Sequence, residues 1–519
     1  MSNAAVTHSS ANRWLVAVAV MSSAVMEVLD TSVVNVSLPH IAGSLSATVD
    51  ESTWVLTSYL VANAIVLPIT GWLANYFGRR RLLLTVVTGF TVSSLLCGIA
   101  PNLPALILFR VLQGTTGGGL QPLSQAVLLE EFPGHERGKA MAFWSLGIVA
   151  APILGPTLGG WITDTYSWRW VFYINLPIGI TSLIMIGLFV SDPHYLRRGK
   201  LRADVWGFGM LAVGMGALQI MLDKGQEEDW FGSRFIISLA VLAVVFLAAF
   251  VIREMTIEEP IVHFRLLKYR SFGSGIVFVT LLGFVLYGSL VTLPLFMQTL
   301  LGWTSAIAGF YTSPRGVATA IFMPLVGYLL GRGWDARWML VFGFSVAGIA
   351  FFGYSHMDLD SGSRDILMHL VNQGAGLAFI FVPLTVLAMD PIPKHETGYA
   401  TSLYSVMRNI GSSMGVSFVT TWIARRSQLN QTLLAAHVTD INPFTRQALE
   451  RAQGLFLRGG SDPVTASRRA QAMLYAAVQQ QATLLSFLSV FRLMGILFLL
   501  LVPLVLLFRR PRGEGVVGS

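Results

Sequence analysis

The feature that most constrains this 519-residue chain is a series of long apolar runs. An α-helix needs about 20 apolar residues to cross the hydrocarbon core of a bilayer. Fourteen such runs can be read, at 14–36, 53–74, 82–100, 104–129, 139–163, 168–190, 205–222, 235–252, 272–297, 306–330, 338–355, 366–389, 398–424 and 487–508. Only helices and closed barrels satisfy their own backbone in lipid, so runs of this length predict an all-α integral membrane protein. Composition agrees: apolar residues make up 54% and charged residues 12%, against about half and about a quarter in soluble domains. The first run is longer than the core of a cleaved signal peptide and is read as retained. The single cysteine, Cys97, excludes an internal disulfide and a cysteine-based metal cluster, and no metal site is expected.

The placement of charge sets the orientation. With the N-terminus in the cytoplasm, twenty of the 35 Lys and Arg fall in cytoplasmic segments, including "RRR" 79–81, "RRGKLR" 197–202 and "RRPR" 509–512. Four fall in short outside loops (Arg169, Lys224, Arg234, Arg364), seven in the long segment 425–486, and four inside spans. That is a strong positive-inside bias. It puts both termini in the cytoplasm and accounts for the net charge of +8 without nucleic acid. The expected division is a cytoplasmic tail 1–13, a six-helix half 14–190, a linker 191–271 with spans 7 and 8, a second six-helix half 272–508 with an outside loop at 425–486, and a cytoplasmic tail 509–519.

The chain repeats itself. "PGHERGKA" at 133–140 matches "PKHETGYA" at 393–400, an offset of 260. Gln113-Gly114 matches Gln373-Gly374 and Gly155 matches Gly415 at that offset, and Pro122-Leu123 matches Pro383-Leu384 one residue later. Pro68, Gly71 and Leu73 match Pro324, Gly327 and Leu329 at 256. Spans 1–6 therefore read as duplicated in spans 9–14, with spans 7 and 8 inserted. Two like-oriented six-helix halves suit a rocking transporter with its site between them.

These residues resemble a known family. "GWLANYFGRRRLLL" (71–84) is similar to the loop between spans 2 and 3 of the major facilitator superfamily. "LDTSVVNVSLP" (29–39), "FRVLQGTTGGG" (109–119) and "GIVAAPILGPTLGGW" (147–161) resemble the span 1, span 4 and span 5 motifs of its drug:proton antiporters. Fourteen spans with this first motif point to the EmrB/QacA-type branch, and "LQIMLDKGQEEDWF" (218–231) and the long outside loop resemble its EmrB side. The resemblance implies a major facilitator fold of two six-helix halves and two linker helices. It further implies proton-coupled multidrug efflux, with antibiotic resistance, at the inner (plasma) membrane. Gly71, Gly78, Arg79 and Arg80 then belong to a conformational motif. This chain departs from it at Asn75 and Tyr76, where the family usually carries Asp followed by Arg.

Each motif also has a physical reading. Gly155 and Gly159, with Gly147, give span 5 a small-residue face that permits close helix approach. Pro152 and Pro156 remove backbone donors and bend it. A bent, closely packed helix suits a moving interface between halves. Gly411 and Gly415 give span 13 a similar face.

Ionisable residues inside spans default to function. Asp30 and Arg110 each lie about 6 residues from the outer end of their spans, roughly 9 Å deep, so the two can meet. Glu27 lies one turn deeper on the face of Asp30. Arg315 and Arg408 lie nearer the middle in the other half, and Arg492 near a span end, where it snorkels. The chain has no G-x-x-x-x-G-K phosphate loop and no histidine pair for a haem, so it is expected to be no enzyme and to need no cofactor, driven by an ion gradient. A carboxylate whose arginine neighbour comes and goes can load and release a proton. Asp30, Glu27 or both are the candidate proton carriers, with Arg110 holding Asp30; that the ion is a proton rather than sodium is the family's implication. Glu27, Gln113, Arg315 and Arg408 are the candidate substrate-cavity residues. A cavity rich in Phe, Met, Leu and Gly suits hydrophobic or amphipathic toxic compounds of either charge. A dedicated exporter of one metabolite class, such as fatty acids, and a non-transporting membrane sensor remain the alternatives.

Segment 425–486 is polar and helical in pattern, with Asp462-Pro463 as a helix start. It is expected to form an outside helical hairpin. Resemblance to EmrB-type pumps implies docking of a membrane-fusion adaptor leading to an outer-membrane channel.

Overall fold

The structure is a computed structural model that describes residues 10–193, 204–439 and 442–508. The basic stretches 197–202 and 509–512, the expected tail 509–519 and most of the tail 1–13 lie outside the described residues.

All regular structure among the described residues is helical. The first half comprises α1 (Ser10–Ser44), α2 (Val49–Val66), α3 (Thr70–Phe77), α4 (Arg79–Gly98), α5 (Leu103–Gly117), α6 (Leu120–Glu131), α7 (Arg137–Thr165), α8 (Trp170–Tyr173) and α9 (Asn175–Phe189). Two inserted helices follow, α10 (Val205–Lys224) and α11 (Arg234–Thr256). The second half holds α12 (Arg270–Thr299), α13 (Ser305–Gly331), α14 (Ala336–Tyr354), α15 (Ser363–Met389), α16 (Thr397–Ala435), α17 (Pro443–Arg458) and α18 (Pro463–Leu504).

The sequence repeat is a structural one. In both halves the repeated Pro opens a 3-10 turn, Gly134–Glu136 or Lys394–Glu396, that leads directly into a long helix. The glutamates that precede α7 and α16 share one backbone conformation, φ −100° in each. Packing repeats too. α1 packs on α7 and α9 as α12 packs on α16 and α18, and α4 packs on α5 and α9 as α14 packs on α15 and α18. Across the halves, α7 packs on α13, and its counterpart α16 packs on α3 and on the turn Leu67–Ile69 that joins α2 to α3. The inserted α10 breaks this symmetry by lying against both α2 and α16.

Twelve described helical segments are long and apolar enough to cross a bilayer. That is fewer than the fourteen runs of the sequence, for two physical reasons. Residues 104–129 are split into α5 and α6 at Gly118 and Gly119, and neither piece spans alone. Residues 398–424 lie inside the 39-residue α16, which is long enough but too polar.

Segment 425–486 holds the expected helical hairpin, α17 packed on α18, but it is continuous with the long helices α16 and α18. α16 continues through residues 425–435, and the 42-residue α18 extends about 63 Å at 1.5 Å per residue, roughly twice the hydrocarbon thickness. Only α17 is confined to the segment, and it packs on α18. Asn442 and Asp462 cap α17 and α18 by accepting from backbone N–H groups of the first turn, ahead of Pro443 and Pro463.

Candidate functional site

Two buried polar clusters sit one helical turn apart on α1. Asp30 and Arg110 are both 0% exposed. Arg110 Nη1 donates to Asp30 Oδ2 at 2.6 Å, the pairing expected from depth. Asp30 Oδ1 accepts from Gln113 Nε2 at 3.0 Å and from Asn175 Nδ2 at 2.7 Å. Arg110 also donates through Nε to the Val55 carbonyl at 3.0 Å and through Nη1 to Gln113 Oε1 at 2.7 Å. Neighbouring dipoles support this deep charge pair, although Arg110 Nη2 is buried without a hydrogen-bond partner among the described residues. Gln113, expected on the cavity wall, is instead enclosed in this cluster and 0% exposed. It follows Arg110 by three residues on α5, so both side chains take the same face.

Glu27 heads the second cluster. Its Oε1 accepts from Asn63 Nδ2 at 3.0 Å and from the Tyr59 hydroxyl at 3.4 Å, and its Oε2 accepts from Gln121 Nε2. Gln121 turns its other end to the opposite half, where Oε1 accepts from Arg408 Nη2. A single amide thus joins the Glu27 carboxylate to the Arg408 guanidinium across the interface. Tyr59 connects the two clusters: the Arg110 guanidinium carbon lies 4.1 Å from the centre of its ring, and its hydroxyl reaches Glu27.

The break between α5 and α6 makes this geometry possible. Gly118 abuts the α2 backbone; a Cβ there would stand 2.7 Å from the Asn63 carbonyl oxygen. Glycines therefore let the broken span approach α2 and bring Arg110, on one piece, and Gln121, on the other, against α1. Ser124 Oγ, one turn on, accepts from Trp144 Nε1 at 2.9 Å, and the Arg408 guanidinium carbon lies 6.0 Å from that indole.

Arg408 and Arg315 both line a cleft between α7 of one half and α12, α13, α15 and α16 of the other. Its remaining walls include Ile148, Pro152, Ile153 and Leu286. Of the four expected cavity residues, Arg315 and Arg408 lie on it, Glu27 joins it through Gln121, and Gln113 does not. Arg492 is exposed on α18, away from the cleft.

The conformational motifs divide. Gly78 ends α3 with φ +92°, a conformation that favours glycine. Gly71 faces the other half; a Cβ there would lie 2.7 Å from the Gly398 carbonyl oxygen. Arg79 is 0% exposed and pairs with Glu130 at 2.7 Å, while Arg80 donates its backbone N–H to Asp192 at 2.9 Å. The small-residue face of α7 is not the interface between halves. Gly147, Gly155 and Gly159 pack on Val25, Ser32 and Val33 of α1, within one half. Pro156 lacks the N–H that would reach the Pro152 carbonyl, and Ser32 Oγ donates to that carbonyl at 3.2 Å instead. The face toward α13 carries Gly138, Ala142 and Ile153.

Sequence reasoning missed Tyr59, Asn63, Gln121 and Asn175. Each is a polar group within an otherwise apolar run, a signal available in the sequence but weaker than a charge. No group of acids, histidines and cysteines able to hold a metal occurs among the described residues.

Two like-packed helical halves, buried acids on one and cavity arginines on the other define a polytopic membrane protein of the two-domain transporter class. Residues 20–416 match the Major Facilitator Superfamily, and the chain belongs to that family. It is 38% identical over 495 residues to the fatty acid resistance protein FarB of Neisseria gonorrhoeae, covering 94% of this chain and 95% of that one. It is 40% identical to the multidrug export protein EmrB of Haemophilus influenzae (83% and 84% covered) and 34% identical to EmrB of Escherichia coli K12 (97% of each). In fold it is similar to the human organic anion transporter MFSD10, with TM-score 0.60, 14% identity and 94% and 99% of the two chains covered. A double tryptophan mutant of XylE gives TM-score 0.60 at 16% identity, covering 98% of each.

Proposed function

We propose that the protein is a secondary active multidrug efflux transporter, exporting hydrophobic or amphipathic compounds in exchange for protons by alternating access. It would sit in the inner membrane with both termini cytoplasmic, and α5 with α6, together with α16, would complete fourteen crossings. The observation that carries the reading is the Glu27–Gln121–Arg408 chain. It gives a buried acid of one half a contact with a cavity cation of the other, so relative movement of the halves must change the surroundings of that acid. The exporter names of relatives at 34–40% identity support the same direction of transport. A fatty acid resistance name among them, with two arginines on the cleft, favours a fatty acid exporter as second reading. The reach of α18 beyond the bilayer supports an adaptor and outer-membrane channel as partners.

Purified protein in liposomes tests this. With an inward-acidic gradient, ethidium or 1-anilinonaphthalene-8-sulfonate should be moved with measurable proton counterflow, read by a pH-sensitive dye. Asp30→Asn should abolish the counterflow. Failure of the unaltered protein to couple either compound to protons would reject proton antiport for them and favour the sensor reading.

A further inference from the structure

The stretch "LQIMLDKGQEEDWF" (218–231) takes no part in the buried clusters, yet its polar side chains reach both halves at the end opposite Arg79. On the α2 side, Thr57 donates to Asp223. Lys224 Nζ, buried, donates to Thr53 Oγ1 at 2.5 Å and to Glu227 at 2.6 Å and lies 5.7 Å from the centre of the Trp54 ring. On the α16 side, Gln219 and Ser413 exchange hydrogen bonds at 3.1 Å, and Trp230 Nε1 donates to Thr421 Oγ1 at 2.9 Å. At 1.5 Å per residue, Ser413 and Thr421 lie about 22 and 35 Å along α16 from Gly398, where α16 meets Gly71 of α3. The two sides of α10 differ in strength. Bonds to charged groups, and an ammonium beside an indole, anchor it to α2. The bonds to α16 are neutral, amide to hydroxyl and indole to hydroxyl, and water can replace them at small net cost. The turn that aims the indole is strained. Asp229 and Trp230 take φ +54° and +48°, a region that bulky residues seldom adopt and that persists only where neighbours hold it. α11 packs on α10 and on the turn Trp230–Gly232, so it follows α10.

We propose that α10 and α11 form a releasable strap. They travel with the first half, and Gln219 and Trp230 hold α16 only in the state of this structure. When α16 swings away from α3 at the Arg79 end, its far end is displaced relative to α2, and α10 bridges the two there. One set of bonds must give way, and the neutral set breaks before the charged anchor. Release of Thr421 also frees the strained turn at Asp229 and Trp230. The strap rests on the transport reading for its purpose but not for its test.

Ties test it in the full-length Cys97→Ala protein in liposomes. Gln219→Cys with Ser413→Cys, and Thr57→Cys with Asp223→Cys, are joined by a reducible ethylene-bridged bis-methanethiosulfonate, and each tie is read by peptide mass spectrometry. Both pairs should tie. The α10–α16 tie should abolish ethidium export, with recovery on reduction, and the α10–α2 tie should leave export at its untied rate. Undiminished export with Gln219→Cys tied to Ser413→Cys, loss of export with Thr57→Cys tied to Asp223→Cys, or failure of the first pair to tie would overturn the strap. Spin labels decide independently of transport, at the exposed positions Asp50 on α2, Glu228 on the strap and Arg425 on α16. Each is changed to Cys, and distances are measured pairwise in nanodiscs, with and without ethidium, at acid and alkaline pH. The Asp50–Glu228 distance should stay single, while Glu228–Arg425 and Asp50–Arg425 should each show a second value. A fixed Glu228–Arg425 distance with a varying Asp50–Glu228 distance would mean that the strap travels with α16, overturning the proposal alone. Three fixed distances would overturn the strap and the rocking of the halves together. Strap release without export would defeat the transport reading alone.

Discussion

Asp30 and Glu27 share a helix face and differ in what holds them. Asp30 meets a full positive charge with two side-chain amides, all within one half. Removing one partner of such a pair leaves the other charge buried and uncompensated, a loss of about 3–5 kcal/mol. Arg110→Ala should therefore lower the yield of folded protein more than Asp30→Asn, which keeps the shape and a dipole. Both should stop coupled export, and Asp30→Asn should still reach the membrane. Unchanged pH dependence of export in Asp30→Asn would make the pair purely structural. Gln121 gives a second prediction. Gln121→Leu removes the bond to Glu27 and the bond to Arg408 together, and should flatten the pH profile of export while substrate binding changes less than tenfold (about 1.4 kcal/mol). A parallel loss of binding and transport, with the pH profile intact, would reduce Gln121 to packing. The Asp30–Arg110 pair was legible because depth along a helix follows from residue count alone. Gln121 was not: it follows the glycine break by two positions, and the facing of a helix beyond a break cannot be carried over from the helix before it.

At the scale of elements, α7 shows how a proline pair is accommodated. Pro156 frees the Pro152 carbonyl, and Ser32 of α1 satisfies it. Ser32→Ala should strand that carbonyl at a cost of about 1–3 kcal/mol. Pro156→Ala restores an N–H four residues on and should recover most of the loss in the double variant, a coupling readable in a double-mutant cycle of thermal unfolding. Additive losses would mean that the carbonyl finds another donor. The glycine spacing in "GIVAAPILGPTLGGW" announced a close helix neighbour correctly, but small-residue spacing carries no partner's name, and the partner is α1 rather than the opposite half. The inserted α10 was equally hard to place. Its apolar run gives a crossing and nothing about neighbours, yet Gln219 and Ser413 exchange hydrogen bonds at 3.1 Å and Thr57 donates to Asp223, so this helix joins α2 to α16.

For the whole molecule, the repeat in the sequence foretold the pseudo-symmetric packing, because a duplicated chain segment folds to a duplicated set of helix contacts. What it could not foretell is which end is closed. At the end that carries Arg79, Gly71 of α3 lies against Gly398 of α16, and Gly138 and Ala142 of α7 lie against Leu330 and Gly327 of α13. The halves meet closely there, with the Arg79 side chain against Gly398, an arrangement that serves as a seal only if it can also part. A covalent tie should therefore be incompatible with turnover. A Cβ at Gly327 would stand 2.9 Å from that of Ala142, slightly closer than a disulfide requires, so a small shift of either helix suffices. In a background with Cys97 replaced by Ala, Ala142→Cys with Gly327→Cys should cross-link under mild oxidant, lose export, and regain it on reduction. Each single variant should export before and after oxidation. If the cross-linked protein moves substrate at the uncross-linked rate, this end does not open, and the two halves do not rock about the cleft that holds Arg315 and Arg408.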